Sequence, residues 1–292
     1  MNAAGILAMG LLLGAWLAPG PVWAGGLPED SYCQGVAEGV KGNFAAAREA
    51  FKDALAADPF YAPAILGLQT LNDVREKTIK AATAVHIFKA MDLGNHARWE
   101  EYLAEIDQAL KLDPHYIPSY IHRGNAHQEL GQYDWAVSDY GQALKVNPRS
   151  AAAYFNRGVA YGRMGDWDRA LADYDQALKL KPRFAQAYYV RANALRKKGA
   201  LDQALADYRR ALDINPRFSE AYFNQGMALE QAGRGQEASE AFRNFINLAP
   251  LEYKNKIQYA QERIAALGVS ASPLPPPNQS RDVTSDASRH RH

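Results

Sequence analysis

Prolines stand at 114, 148, 182, 216 and 250, one every 34 residues, each closing a stretch such as ALKLDP, ALKVNP or ALDINP. A step of that size restricts the chain to architectures in which one small module cannot bury its own apolar face and is covered by the next copy of itself. Counted as positions 1 to 34 with the proline at 32, modules begin at Thr83, Ile117, Ala151, Ala185 and Ser219, and an earlier one begins at Pro28. Position 8 is small (Gly124, Gly158, Ala192, Gly226), position 20 is alanine (Ala136, Ala170, Ala204, Ala238) and position 24 is aromatic (Tyr140, Tyr174, Tyr208, Phe242).

Apolar residues at positions 4, 7–8 and 11, then at 17, 20–21, 24 and 27–28, follow the i, i+3, i+4 spacing of two consecutive amphipathic helices. Glycine at position 15 (Gly131, Gly165, Gly199, Gly233) falls where the first helix must end and the chain reverse. Small residues at positions 8 and 20 let the two helices approach closely, and the proline ends the second helix. The fold class that follows is all-α, a solenoid of stacked helical hairpins. These columns resemble the tetratricopeptide repeat over residues 28–61 and 83–252. The resemblance implies a right-handed superhelix of antiparallel helix pairs whose first helices line a concave groove, and a role in binding peptides or protein partners.

Residues 25–61 read as the first repeat and 83–252 as five tandem repeats, with a helical insertion at 62–82 between them. No proline or glycine interrupts Leu68 to Leu93, and an insertion of three heptads nearly preserves the helical phase, which predicts one long helix from about Ala62 to Leu93. Such a helix either covers the end of the stack or projects as a homodimer contact of a structural or assembly protein. EYKNKIQYAQERIAALG predicts a polar capping helix over 253–268, and the sequence beyond it, 269–292, is too poor in apolar residues to fold. At the other end, residues 1–24 read as a secretory signal: a short apolar run, then Val22-Trp23-Ala24 at the cleavage positions. Pro19 and Pro21 interrupt the span an uncleaved membrane anchor needs. The expected location is periplasmic or secreted. Cys33 is the sole cysteine, which excludes an internal disulfide and reads as a small apolar residue of the first helix.

Position 7 interrupts the apolar stripe with a cation, and position 23 carries an acid in step with it. Lys89 accompanies Glu105, Arg123 accompanies Asp139, Arg157 accompanies Asp173, and Arg191 accompanies Asp207. Where the cation is lost the acid is lost too: Gln225 accompanies Ala241, and Gln34 accompanies Ala50. A turn at position 15 places 7 opposite 23, so the columns predict one structural ion pair inside each hairpin. Pairing position 7 with position 23 of an adjacent hairpin would strand Asp207 against Gln225 and Lys89 against Ala50.

With 33 basic and 32 acidic side chains the formal charge is +1, and no basic stripe points to nucleic acid. No nucleophile motif, phosphate loop or spaced ligand set is present, so neither enzyme activity, a cofactor nor a metal is expected. His115, His122 and His127 lack ligand spacing and read as surface or half-buried side chains. By the resemblance, positions 5, 9, 12 and 13 of the first helices line the groove. They are Ile121, Asn125, Phe155, Val159, Arg163, Tyr189, Asn193, Arg196, Lys197, Phe223 and Met227. Aromatic rings flanked by amides and cations suit an extended protein or peptide partner, the amides bonding its backbone and the cations its carboxylates; alternatively the position-5 rings pack in part against the neighbouring helix and the cations are solvated. The carboxylate clamp of the chaperone-binding relatives is matched only at Asn125 and Asn156; Ile121, Gln186 and Val190 replace its charged members.

Overall fold

The structure is a computed structural model that describes residues 28–59 and 61–268; the signal read into 1–24 and the tail read into 269–292 lie outside them. The described residues form fourteen α-helices and no strand. The chain divides between Ala194 and Leu195 into two compact units. In the first, α1 (Pro28–Val40) and α2 (Phe44–Ala57) form a hairpin and α3 (Ala62–Arg75) follows singly. Three further hairpins pair α4 (Ala81–Asn95) with α5 (Trp99–Leu112), α6 (Ile117–Glu129) with α7 (Tyr133–Val146), and α8 (Ala151–Arg163) with α9 (Trp167–Leu180). Each stacks on the next, α5 against α6 and α7 against α8. α10 (Ala185–Lys197) carries the chain across the division. The second unit holds α11 (Leu201–Ile214), α12 (Ser219–Gln231), α13 (Gly235–Leu248), a 3-10 turn (Leu251–Tyr253) and α14 (Lys254–Ala266).

Four of the hairpins close on a glycine at position 8 seated against an aromatic ring. A Cβ added at Gly158 would lie 2.7 Å from the Tyr174 ring and 3.2 Å from the Ala170 carbonyl oxygen. Gly124 meets Tyr140 at 2.6 Å, Gly226 meets Phe242 at 2.7 Å, and Gly35 meets Phe51 at 2.5 Å in the same way. The rings so covered are almost wholly buried, and burying one is worth about 2–3 kcal/mol. The hairpin turns take a left-handed residue at position 15, Gly131 at φ 72° and Gly165 at φ 81°. In the α4–α5 turn that place is held by Ala97, at φ 55°.

The stretch from Ala62 to Leu93 is two helices rather than the expected one. α3 stops at Arg75, Lys77 turns left-handed at φ 58°, and α4 begins at Ala81. The Thr78 N–H donates to the Asp73 carbonyl at 2.8 Å, a closure one residue wider than the helical bond. The causes are tertiary, which is why no local breaker marks them. Asp113, from the α5–α6 connection, accepts from the Lys80 backbone N–H at 2.9 Å and from the Thr83 hydroxyl, and so caps α4 from a distant part of the chain. Tyr116 donates to the Asp73 carboxylate at 2.6 Å, and Ile79 is buried. Together these offset the roughly 1–2 kcal/mol that a left-handed non-glycine residue costs. α3 folds back on α2, where Gly67 leaves room for the Phe51 ring, and α1 packs on α4 through Gly39 and Phe88. No projecting 62–93 helix exists to serve as a dimer contact.

In the second unit α14 packs on α13. The Tyr253 hydroxyl donates to Glu220 at 2.6 Å, and Arg263 pairs with Glu230. Cys33 lies exposed on α1 instead of filling an apolar gap. Among the described residues no helix is long and apolar enough to cross a membrane.

Candidate functional site

Arg123 and Arg157 lie between the helices of their own hairpin. Arg157 Nε donates to Asp173 Oδ2 and Nη2 to Oδ1, each at 2.8 Å. Arg123 Nε meets both Asp139 oxygens at 3.0 Å, and its Nη2 meets Oδ1 at 2.6 Å. The acids are the buried partners: the Asp139 and Asp173 side chains are 5% and 7% exposed, against 27% and 25% for Arg123 and Arg157. Hydrogen bonding to Asp173 holds the Arg157 guanidinium above its usual value. A tyrosine at position 4 flanks each cation, Tyr120, Tyr154 and Tyr188 lying with ring centroids 5.7, 5.6 and 5.5 Å from their arginines.

Two features of the ladder depart from the sequence reading. Glu105 does not pair with Lys89; its Oε2 lies 2.6 Å from Nδ1 of His86, which holds position 4 in place of the tyrosine. The arginines also reach backwards. Arg123 Nη1 donates to Asp107 at 2.7 Å and Arg191 Nη1 to Asp175 at 2.6 Å, both acids standing at position 25 of the preceding module. The ladder therefore ties neighbouring hairpins as well as the halves of one. Column 25 reads Asp107, Gly141, Asp175, Arg209 at the same 34-residue step and was legible beside column 23. Arg191 belongs to the first unit and Asp207, which is buried, to the second.

The first-helix face is narrower than the resemblance implies. Phe155 is only 5% exposed, its ring 4.9 Å from that of Phe184 and 6.1 Å from that of Tyr174. Asn125 is buried, and its Oδ1 accepts from the Tyr140 hydroxyl at 2.7 Å and from Asn156 at 3.3 Å. Phe223 meets Phe242, Phe245 and Tyr259 with centroids 5.9, 5.0 and 5.8 Å apart, inside the second unit. Ile121 packs against the buried clusters of Ala136, Tyr140 and Ala160 and of Ala143, Leu144 and Ala153. These four hold the hairpins together. Val159, Tyr189, Asn193, Arg196 and Met227 are half-buried, and Arg163 and Lys197 are exposed.

His122 is buried rather than at the surface, with Nδ1 2.9 Å from the Tyr102 hydroxyl, and burial lowers its pKa to about 4. His127 stacks on Trp135, itself 66% exposed. No group of three or more histidine, cysteine or acidic side chains is placed to hold a metal ion among the described residues.

Two clefts open at two of the modules whose rung is not an arginine–aspartate pair. One, of about 390 Å³, is lined by Lys89, Leu93, Glu101, Ala104 and Glu105, with Val40 and Asp92. The other, of about 210 Å³, is lined by Gln225, Leu229, Glu237, Glu240 and Ala241, with Leu205, Arg209, Arg234 and Asn244. The five residues named first in each occupy the same positions, 7, 11, 19, 22 and 23. In the α6–α7 and α8–α9 hairpins positions 7 and 23 hold the bonded pairs Arg123–Asp139 and Arg157–Asp173.

Stacked antiparallel helix pairs of this kind define a helical-repeat scaffold. A TPR-repeat model matches residues 124–165 and a tetratricopeptide-repeat model matches 158–217 and 201–250. The region from 124 to 250 belongs to the tetratricopeptide-repeat family. Solved structures share the fold. PilW, described as a widely conserved type IV pilus biogenesis factor, is 24% identical with a TM-score of 0.53, over 63% of this chain and 91% of that one. YrrB, described as a TPR protein with an unusual peptide-binding site, is 21% identical with a TM-score of 0.50, over 66% and 97%. MamA of Desulfovibrio magneticus RS-1 is 19% identical with a TM-score of 0.53, over 57% and 94%.

Proposed function

We propose that this chain is a non-catalytic, exported scaffold that binds a protein or peptide partner on the first-helix face of its hairpins. The observation that carries the reading is a division of labour along that face. Asn125 and Phe155 are taken up by packing, while Arg163 stands exposed at position 13 of α8 and Val159 is half-buried one turn before it. An apolar side chain beside an exposed cation suits a partner segment that alternates apolar and acidic residues. The same fold carries a peptide-binding site in YrrB, which supports the reading at the level of the fold. The rival, an assembly protein dimerising through a projecting 62–93 helix, lacks that helix.

A photo-crosslinking residue placed at Tyr189, with a control at exposed Gln176 on α9, tests the reading in cells. A defined adduct at Tyr189 that weakens in the Arg163→Glu background and is absent at Gln176 is expected. Equal capture at both positions, or none at Tyr189, overturns it.

A further inference from the structure

We propose that the cleft at the last hairpin is a receptor for the carboxylate of an Asp or Glu side chain on a partner polypeptide, with Arg209 as its cation. In the hairpin of α6 and α7, positions 7, 23 and the preceding 25 are Arg123, Asp139 and Asp107, and their charges satisfy one another. At the last hairpin the same three positions are Gln225, Ala241 and Arg209, and all three line the 210 Å³ cleft. The cation has moved from the floor to the wall and the module's own carboxylate has been removed. The rung has lost its acid at position 23, while Glu237 and Glu240 of the same module remain on the cleft wall beside Arg209 and Arg234.

The surrounding charges narrow the ligand. Arg234 is taken up by Glu237, with two bonds of 2.7 and 2.5 Å. Arg209 bonds through Nε to the Leu205 carbonyl at 3.3 Å, and its terminal nitrogens make no hydrogen bond or ion pair among the described residues. Arg209 therefore offers the two-point fork that matches a carboxylate, and the Gln225 amide adds a neutral donor beside it. Glu240, on the same wall, disfavours a dianion such as phosphate and accepts from the backbone N–H that accompanies an acidic side chain. The volume lies below the roughly 300–1,000 Å³ typical of small-molecule pockets, which fits one side chain better than a metabolite. This site is lined by α11, α12 and α13, and its residues are not those at positions 5, 9, 12 and 13 that make up the first-helix face. It rests on the scaffold reading only for the source of the acid.

Titration of the ¹⁵N-labelled full chain with blocked single residues tests it. N-acetylglutamate amide is expected to shift the Arg209 Nε–H and Gln225 side-chain signals saturably, and N-acetylglutamine amide to leave them unchanged. Arg209→Gln, at an exposed position, should abolish the response. Ala241→Asp restores the module's own carboxylate and should weaken the probe by about tenfold or more. An absent or equal response to the two probes, or Ala241→Asp binding undiminished, overturns the site. Binding of N-acetylglycine but not of the glutamate probe overturns the side-chain source. Because the signals are local to α11 and α12, failure here leaves the crosslink at Tyr189 as an independent test of the first-helix face.

Discussion

Arg157 and Asp173, sixteen residues apart, meet through two parallel hydrogen bonds of 2.8 Å across the helices of one hairpin. The carboxylate is nearly buried and the guanidinium is one-quarter exposed. Breaking the pair therefore costs more than removing it.

Arg157→Gln leaves Asp173 buried without its counter-charge and should cost about 3 kcal/mol, with Asp173→Ala costing somewhat less because the arginine can turn to water. The double variant should lose clearly less than the sum of the two. Urea denaturation of the four proteins measures the coupling; strict additivity would show that the pair contributes nothing of its own.

Gly158→Ala places a methyl group against the Tyr174 ring and the Ala170 carbonyl, neither of which can retreat without opening the hairpin. A loss of about 1–3 kcal/mol is expected by thermal denaturation. Gly165→Ala fails for a different reason: open space surrounds it, but its φ of 81° strains any side chain.

Ala97 is the converse case, a methyl-bearing residue at φ 55° in a turn where the other hairpins place glycine. Relief of left-handed strain exceeds the added chain entropy, so Ala97→Gly should stabilise by about 0.5–1 kcal/mol. An unchanged or lowered midpoint in urea would contradict this.

His122 gives the fold a pH dependence. Its folded pKa is about 4 against an ordinary 6.5, because burial disfavours the imidazolium. The unfolded chain therefore binds the proton first. Stability is complete above about pH 6.5, falls as the pH drops toward 4, and loses about 3 kcal/mol over that window. In His122→Gln the slope between these values should flatten, as read from urea midpoints across the range.

The hairpins were legible because their determinants are local and periodic: the glycine at position 8, the ring at 24 and the breaker at 15 recur in one register. The Arg157–Asp173 rung was legible for the same reason, as two columns that change together. The break at Lys77 was not, since its cap comes from Asp113 and its anchor from Tyr116, some thirty to forty residues away. Burial of Phe155 and Asn125 was equally hidden. Position 5 or 9 is fully buried in one module and half-buried in the next according to the neighbour it meets, and Phe184 and Tyr140 supply those neighbours here.

Gly141 stands in the column where Asp107 and Asp175 hold the arginine of the following module. The seam between α7 and α8 therefore lacks the ionic strap that crosses the seams on either side of it. Tension applied along the first unit should concentrate there, so that the stack parts between these two hairpins first and comes away in whole modules.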